Sequence, residues 1–305
     1  MRSDRSASLW LLLITFLWGA SFVVVKGALE TAGPYWFLLL RFAVAALAAS
    51  LFFRGVFQSV NRQAIFYGAI LAAVLYLGFL LQTLGLQFTT PSKSAFVTGV
   101  SVVLVPVLGR LFFGTRVSAE VISGVGCALL GLYLLIRPDR LLDVNRGDLL
   151  TLGCAVVFAF HLLLVGRYAH RADPGALALL QILGAGLLGV PLGLADTPRF
   201  DYSWSFYLAL VYLGVFCSAF AFSVQIRAQQ HVSAARAALI FALEPVFAAM
   251  ISVVFFAERL LLREWFGGAL VVIGVLLGEA SVLRSKCGTG RYFRRINQCS
   301  KELMR

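Results

Sequence analysis

Residues 234–256 read AARAALIFALEPVFAAMISVVFF, a run of 23 in which only Arg236, near the start, and Glu244, in the middle, carry charge. A helix needs about 20 apolar residues to cross roughly 30 Å of hydrocarbon, so the run is long enough to span a bilayer. It lacks the alternation of apolar and polar residues that a membrane-barrel strand of about ten residues would show. Glu244 is the eleventh residue of the run, which puts it about 15 Å from the start at 1.5 Å per residue. An isolated charge at that depth costs at least about 2.5 to 3.5 kcal/mol, so the carboxyl is protonated, paired or open to a wet cavity. Pro245 adds to this polarity, because it has no N–H for the carbonyl of Phe241 and leaves that acceptor to a ligand or water.

Outward from this run the rest of the chain is of the same kind. Of 305 residues 60% are hydrophobic and 13% charged, and the mean hydropathy is +0.90. A water-soluble domain of this length could not hide that much apolar surface in one core. Windows of about 19 residues give ten candidate helices: Leu9–Val25, Tyr35–Phe53, Ala64–Leu86, Ala95–Phe113, Ser118–Ile136, Leu149–Gly166, Pro174–Leu194, Trp204–Ile226, Ala234–Phe256 and Arg263–Leu283. Gly33-Pro34, Pro91-Ser92, Arg137-Pro138-Asp139, Asp173-Pro174 and Thr197-Pro198 punctuate them, as residues that end helices do. Arg2 and Arg5 before the first run imitate a secretory leader, but without a convincing cleavage site after Val25 the segment reads as a retained anchor.

The ten runs fall into two halves. Tyr76-Leu77-Gly78 in the third recurs as Tyr212-Leu213-Gly214 in the eighth, and Pro106 in the fourth matches Pro245 in the ninth. Each half ends in a glycine-rich run, with Gly124, Gly126 and Gly131 in one and Gly267, Gly268, Gly274 and Gly278 in the other. An odd number of spans per half forces opposite orientations. The expected fold is therefore all-α, an integral membrane bundle of ten transmembrane helices built from two inverted five-helix repeats, with a solute site near the midplane. The expected units are residues 1–147 and 148–284, followed by a basic tail over 285–305. Aligning the two prolines sets Val105 opposite Glu244 and breaks the repeat chemically at the midplane.

Ten spans put both termini on one side. With the N-terminus inside, inner segments carry seventeen Lys and Arg and outer loops eight, so both termini are expected in the cytoplasm and the protein in the plasma (inner) membrane. The tail, with seven cations and one acid, decides that bias and suits an anionic leaflet or a flexible retention segment. Net charge +12 is thus an arrangement for orientation and implies no nucleic-acid partner. Five cysteines without a Cys-x-x-Cys pair imply neither a disulfide framework nor a zinc site.

Taken in order, Trp18-Gly19-Ala20-Ser21-Phe22, Leu40-Arg41-Phe42, Val105-Pro106, Leu243-Glu244-Pro245, Ala257-Glu258-Arg259-Leu260 and Gly267 through Gly274 resemble the drug/metabolite transporter superfamily, and within it the EamA-type ten-helix carriers. Each motif is short; their order and spacing across ten spans carry the resemblance, which covers about residues 8–283. It implies export or exchange of small organic solutes, often amino acids or other metabolites, by alternating access through a central cavity. That cavity would be lined by helices 3, 4, 8 and 9 with 1 and 6.

Beside Glu244, the candidates for a substrate or proton site are His161, the histidine of the sixth span, and Thr98 and Ser101, which share a helical face with Ser94 and Val105. Tyr76, Gln82, Tyr212 and Gln225 in the third and eighth spans, and Trp18 and Ser21 in the first, complete the set. Pro106 and Pro245 are expected to break their helices as hinges. Arg41 could pair an anionic group or snorkel toward the outer face with Lys26 as neighbour, and it reads as an orientation or structural residue rather than a substrate-binding one. Small-residue stripes, tyrosines near helix ends and a neutral buried histidine also have packing uses, which remain open. The expected partners are the bilayer, a small-molecule substrate and protons as a candidate coupling ion, without a cofactor or metal. A lipid or lipid-linked solute translocator and a channel are the competing readings. An enzyme would need clustered reactive groups, and the chain has no Walker A sequence and no His-Glu-x-x-His.

Overall fold

The computed structural model describes residues 4–135, 144–196, 202–256 and 260–280. The basic tail and the Arg137-Pro138-Asp139, Thr197-Pro198 and Ala257-Glu258-Arg259 segments lie outside them. Ten transmembrane helices follow in order: α1 (Asp4–Ala28), α2 (Pro34–Phe52), α3 (Arg62–Phe88), α4 (Pro91–Phe113), α5 (Ala119–Leu135), α6 (Arg146–Tyr168), α7 (Pro174–Ala195), α8 (Trp204–Ala228), α9 (Ala234–Phe241 and Glu244–Phe256) and α10 (262–280). A short 3-10 turn, Arg54–Ser59, joins α2 to α3.

Helix starts follow local chemistry. Pro34 and Pro174 occupy first-turn positions, where no N–H is needed. Side-chain oxygens of Asn61, Thr90, Asn145, Asp173 and Ser233 accept bonds from first-turn amides, which satisfies donors that have no partner within the helix. Asp196, just past α7, does the same for α2 from across the bundle, accepting from Tyr35 N and Trp36 N at 3.1 Å each. Lys26 at the end of α1 donates to the carbonyls of Leu86 (2.6 Å) and Thr89 (3.2 Å), closing the C-terminus of α3.

The bundle is inside out relative to a soluble protein. Leu187 and Val254 are more than 70% exposed while Thr15, Ser94, Thr151, Gln181 and Ser218 are fully buried, as expected when lipid replaces water as solvent. The glycine-rich α5 and α10 meet at backbone distance. A methyl group added at Gly131 would lie 2.5 Å from the Gly267 carbonyl oxygen, and one at Gly124 would lie 2.5 Å from that of Gly274. Only hydrogen fits on those faces.

Two of the helices are interrupted, and their interruptions set the repeat register. In α4 the break falls at Val100, between Pro91–Gly99 and Ser101–Phe113; in α9 it falls at Ala242 and Leu243. The segments after the breaks, Ser101–Phe113 and Glu244–Phe256, are 13 residues each, and the caps Thr90 and Ser233 stand 143 positions apart, as do Ser101 and Glu244. Ser101, not Val105, is thus the repeat equivalent of Glu244. The prolines differ because Pro106 lies inside the second segment of α4 whereas Pro245 is the second residue of its segment. Tyr76 and Tyr212 are 136 positions apart, seven short of this register, so they stand two helical turns out of step.

Candidate functional site

A small cavity of about 70 Å³ lies between the halves. Its walls come in repeat-related pairs: Trp18 with Phe158 and Ser21 with His161, 140 positions apart, then Phe79 with Phe222, Gln82 with Gln225, Thr98 with Phe241 and Ser101 with Glu244, 143 apart. Arg41 and Leu162 complete the lining. The shape is therefore close to two-fold while the chemistry is not, since Ser21, Thr98 and Ser101 face His161, Phe241 and Glu244. Helices α1, α3, α4, α6, α8 and α9 all contribute, together with α2 through Arg41.

Glu244 is the first residue after the break in α9, and it keeps intermediate exposure at mid-bundle because it lines the cavity. Among the described residues its carboxylate has no hydrogen-bond or ion-pair partner. Gly19 brings α1 against this break: a methyl group there would lie 2.9 Å from Phe247 Cβ and 3.0 Å from the Glu244 carbonyl oxygen. The Trp18-Gly19 pair thus combines a wall residue with the close approach that places it.

Arg41 does not snorkel. It is 1% exposed, its Nε donates to Ser218 Oγ at 3.1 Å, and its guanidinium carbon lies 4.3 Å from the centre of the Phe79 ring. Ser218 passes its own proton to the Leu213 carbonyl at 2.8 Å, five residues back, within a π-helical stretch of α8 over Tyr212–Phe220. The widened turn frees backbone acceptors, and the Cys217 carbonyl takes the indole N–H of Trp18 at 2.8 Å. Tyr212 donates to the Leu17 carbonyl at 2.6 Å, outside the cavity lining. Trp18 in turn packs edge-on to Phe241, with ring centres 5.0 Å apart. Phe79 packs edge-on to Phe158 and Phe222, so one side of the cavity is aromatic.

His161 is buried with Nε2 3.0 Å from Gln181 Oε1, and its ring is edge-on to Phe222. An amide oxygen only accepts, so Nε2 is the protonated nitrogen in this arrangement. Gln225 and Thr98 line the cavity, each with a buried side-chain oxygen that has no hydrogen-bond partner among the described residues. Gln225 Nε2 donates to Gln229 Oε1 (3.1 Å) and Gln229 Nε2 to the Leu162 carbonyl (2.9 Å), tying α8 to α6. Beyond that bridge opens a second space of about 400 Å³, lined in part by Gly166, Arg167, His170, Gln229 and His231. Tyr76 is buried outside the lining, its hydroxyl without a hydrogen-bond partner among the described residues. Pro106 and Pro245 also lie outside the lining. Arg41 was read from the sequence as an orientation charge, with pairing to an anion the less favoured alternative, and the phenylalanines were missed because phenylalanine is too common in this chain to signal a wall.

Each end of the bundle carries an ion pair. At the end away from the N-terminus, Lys93 Nζ lies 2.6 Å from Asp148 Oδ2, and Asp148 also accepts from Thr89 Oγ1 (2.7 Å) and Asn145 N (2.9 Å). At the N-terminal end Arg236 binds Glu279 at 2.9 Å, and Ser8 donates to the same carboxylate at 2.9 Å. Lys93 and Arg236 are equivalent at 143 positions apart, as are Ser8 and Asp148 at 140.

Residues 5–137 and 145–278 each match the EamA-like transporter family. An uncharacterized transporter of Archaeoglobus fulgidus is 31% identical over 272 residues, covering 89% of this chain and 85% of its own. The uncharacterized inner membrane transporter YicL of Salmonella typhimurium is 24% identical over 91% of this chain and 96% of its own. A WAT1-related chloroplastic protein of Arabidopsis thaliana is 24% identical over 88% of this chain and 68% of its own. A crystal structure at 18% identity superposes with a TM-score of 0.73 over 91% of this chain and 98% of that one, a likeness of fold. With both halves matched and a relative this similar along its length, the chain belongs to the EamA-like transporter family of the drug/metabolite transporter superfamily and is a multi-pass membrane transporter.

Proposed function

We propose that this transporter exports a small organic metabolite, an amino acid or related solute, by alternating access through the central cavity, with Glu244 accepting the solute's amine or a coupling proton. The observation that carries this reading is the Glu244 carboxylate, partly exposed to an internal cavity at a helix break and without a protein partner among the described residues. A carboxylate that structure alone required would be held by donors, because leaving it bare is costly. The ion pairs at the two ends of the bundle, read as the mouths of the solute path, support the same view. They stand at equivalent positions of the two repeats, so rocking one half against the other would open one cluster while keeping the other. Charge counts favour the N-terminal mouth, with both termini, facing the cytoplasm of a plasma-membrane protein.

The test is counterflow in proteoliposomes, using metabolites chosen by comparing what cells with and without the protein release. Saturable, gradient-driven exchange is expected. Glu244→Gln should lower it about tenfold or more, since a charge-assisted hydrogen bond contributes about 1.5 to 3 kcal/mol, and should flatten its pH dependence. Unchanged exchange and unchanged pH dependence in the variant would remove Glu244 from the mechanism. Non-saturating conductance would indicate a channel, and scrambling of labelled lipid a translocator.

A further inference from the structure

We propose that Arg41 is an anion-recognition residue, so the transported solute carries an oxyanion that docks on its guanidinium inside the cavity. The inference rests on the cavity being the solute's path. Arg41 is 1% exposed, lines the cavity, and has no carboxylate partner among the described residues. Among the described residues its side chain makes one hydrogen bond, from Nε to Ser218 Oγ, and lies against the face of Phe79. A buried cation normally has its counter-charge beside it. Here the nearby surface that can supply one is the cavity itself.

The repeat sharpens this. The equivalent of Arg41, 140 positions on, is Gln181, a neutral side chain with 0% exposure that holds His161 from behind the wall. The same position in the other half therefore braces without charge, and bracing does not account for a guanidinium. Nε is committed to Ser218, a residue anchored by its own bond to Leu213, and this fixes the plane of the fork. A planar fork with a fixed plane suits the two oxygens of a carboxylate or phosphate better than a flexible ammonium would. With Glu244 in the same cavity, the site offers one negative and one positive group to a solute bearing both charges.

The experiment compares metabolites released by cells without the protein and by cells with the wild type, Arg41→Gln or Arg41→Lys at matched membrane levels. A transported metabolite is then put into proteoliposomes in competition with its own methyl ester. Solutes moved by the wild type are expected to carry a carboxylate, phosphate or sulfate, and profiling says which. The ester should compete about tenfold or more less well than the acid, in line with the loss of one charge-assisted bond. Arg41→Gln should erase that discrimination, and Arg41→Lys should weaken it while keeping its direction. A merely structural arginine would alter expression or melting and leave the preference for acid over ester where it was. If Arg41→Gln does not reach the membrane, Arg41→Lys decides: wild-type affinity for the acid overturns the proposal. Transported solutes that lack an anionic group overturn it as well. A wild type that moves no solute overturns instead the carrier reading beneath it.

Discussion

Replacing Asp148 with Asn tests whether the mouth away from the N-terminus is a gate. The Lys93 and Asp148 side chains are 9% and 8% exposed, so their pair is nearly dry. Asp148 Oδ1 accepts from Thr89, and Oδ2 accepts both from Asn145 N and from Lys93. Asparagine keeps one oxygen for one of these donors and turns an NH2 group toward another. Removing one partner of a buried pair costs about 3 to 5 kcal/mol, and proximity to the mouth argues for about 3. In an open mouth both charges are hydrated, so the closed state bears nearly the whole loss. Three kcal/mol then raises the open-to-closed ratio by about a hundredfold. The assay is labelling of Ser94→Cys, a position fully buried beside Lys93, with a membrane-impermeant maleimide in a background without native cysteines. Asp148→Asn should speed labelling by that order of magnitude. Lys93→Met with Asp148→Leu should restore slow labelling, because no lone charge is left behind. Labelling at the parent rate in a well-folded Asp148→Asn protein would refute the gate. Glu279→Gln at the other mouth should have a smaller effect, since Glu279 is 29% exposed and its pair is screened.

Gly131→Ala forces a methyl group onto the Gly267 carbonyl and should destabilise the purified protein by about 1 to 3 kcal/mol, read as a lower melting temperature; Gly126→Ala, with open space around it, should have almost no effect. Asp196→Ala removes the acceptor for Tyr35 N and Trp36 N and should cost about 1 kcal/mol, seen as faster amide exchange in the first turn of α2. Gln229→Leu breaks the bridge from Gln225 to the Leu162 carbonyl. It should raise labelling of Ser101→Cys from the N-terminal side while leaving labelling from the other side unchanged.

Much of the architecture was legible because hydropathy acts locally. Runs of about 20 apolar residues, their number and their odd count per half need no tertiary information, and neither does the rarity of a mid-span carboxylate that singled out Glu244. Polar residues on one helical face, such as Thr98 and Ser101, also announced themselves. The cavity brings eight of the expected residues together and leaves Tyr76 and Tyr212 in other surroundings. The tyrosines misled because a three-residue recurrence seven positions out of register looks like homology in a chain this rich in Leu and Gly. Pro106 misled because a missing N–H marks where a helix can break, whereas packing decides where it does. α4 breaks at Val100, before its proline, where α9 breaks at Ala242 and Leu243.

By itself the sequence determined that lipid is the solvent, that ten helices cross it in two opposed halves, and that one carboxylate stands at mid-depth at a cost something must offset. These follow from free energies of transfer that each segment carries wherever it packs. Tertiary structure alone decided that Ser101 is the partner of Glu244, that α5 and α10 touch through hydrogen-only faces, and that Arg41 turns into the cavity. Those depend on which atoms of distant segments meet, and for Arg41 the meeting is with Ser218, 177 residues away, presented by a π-helical turn.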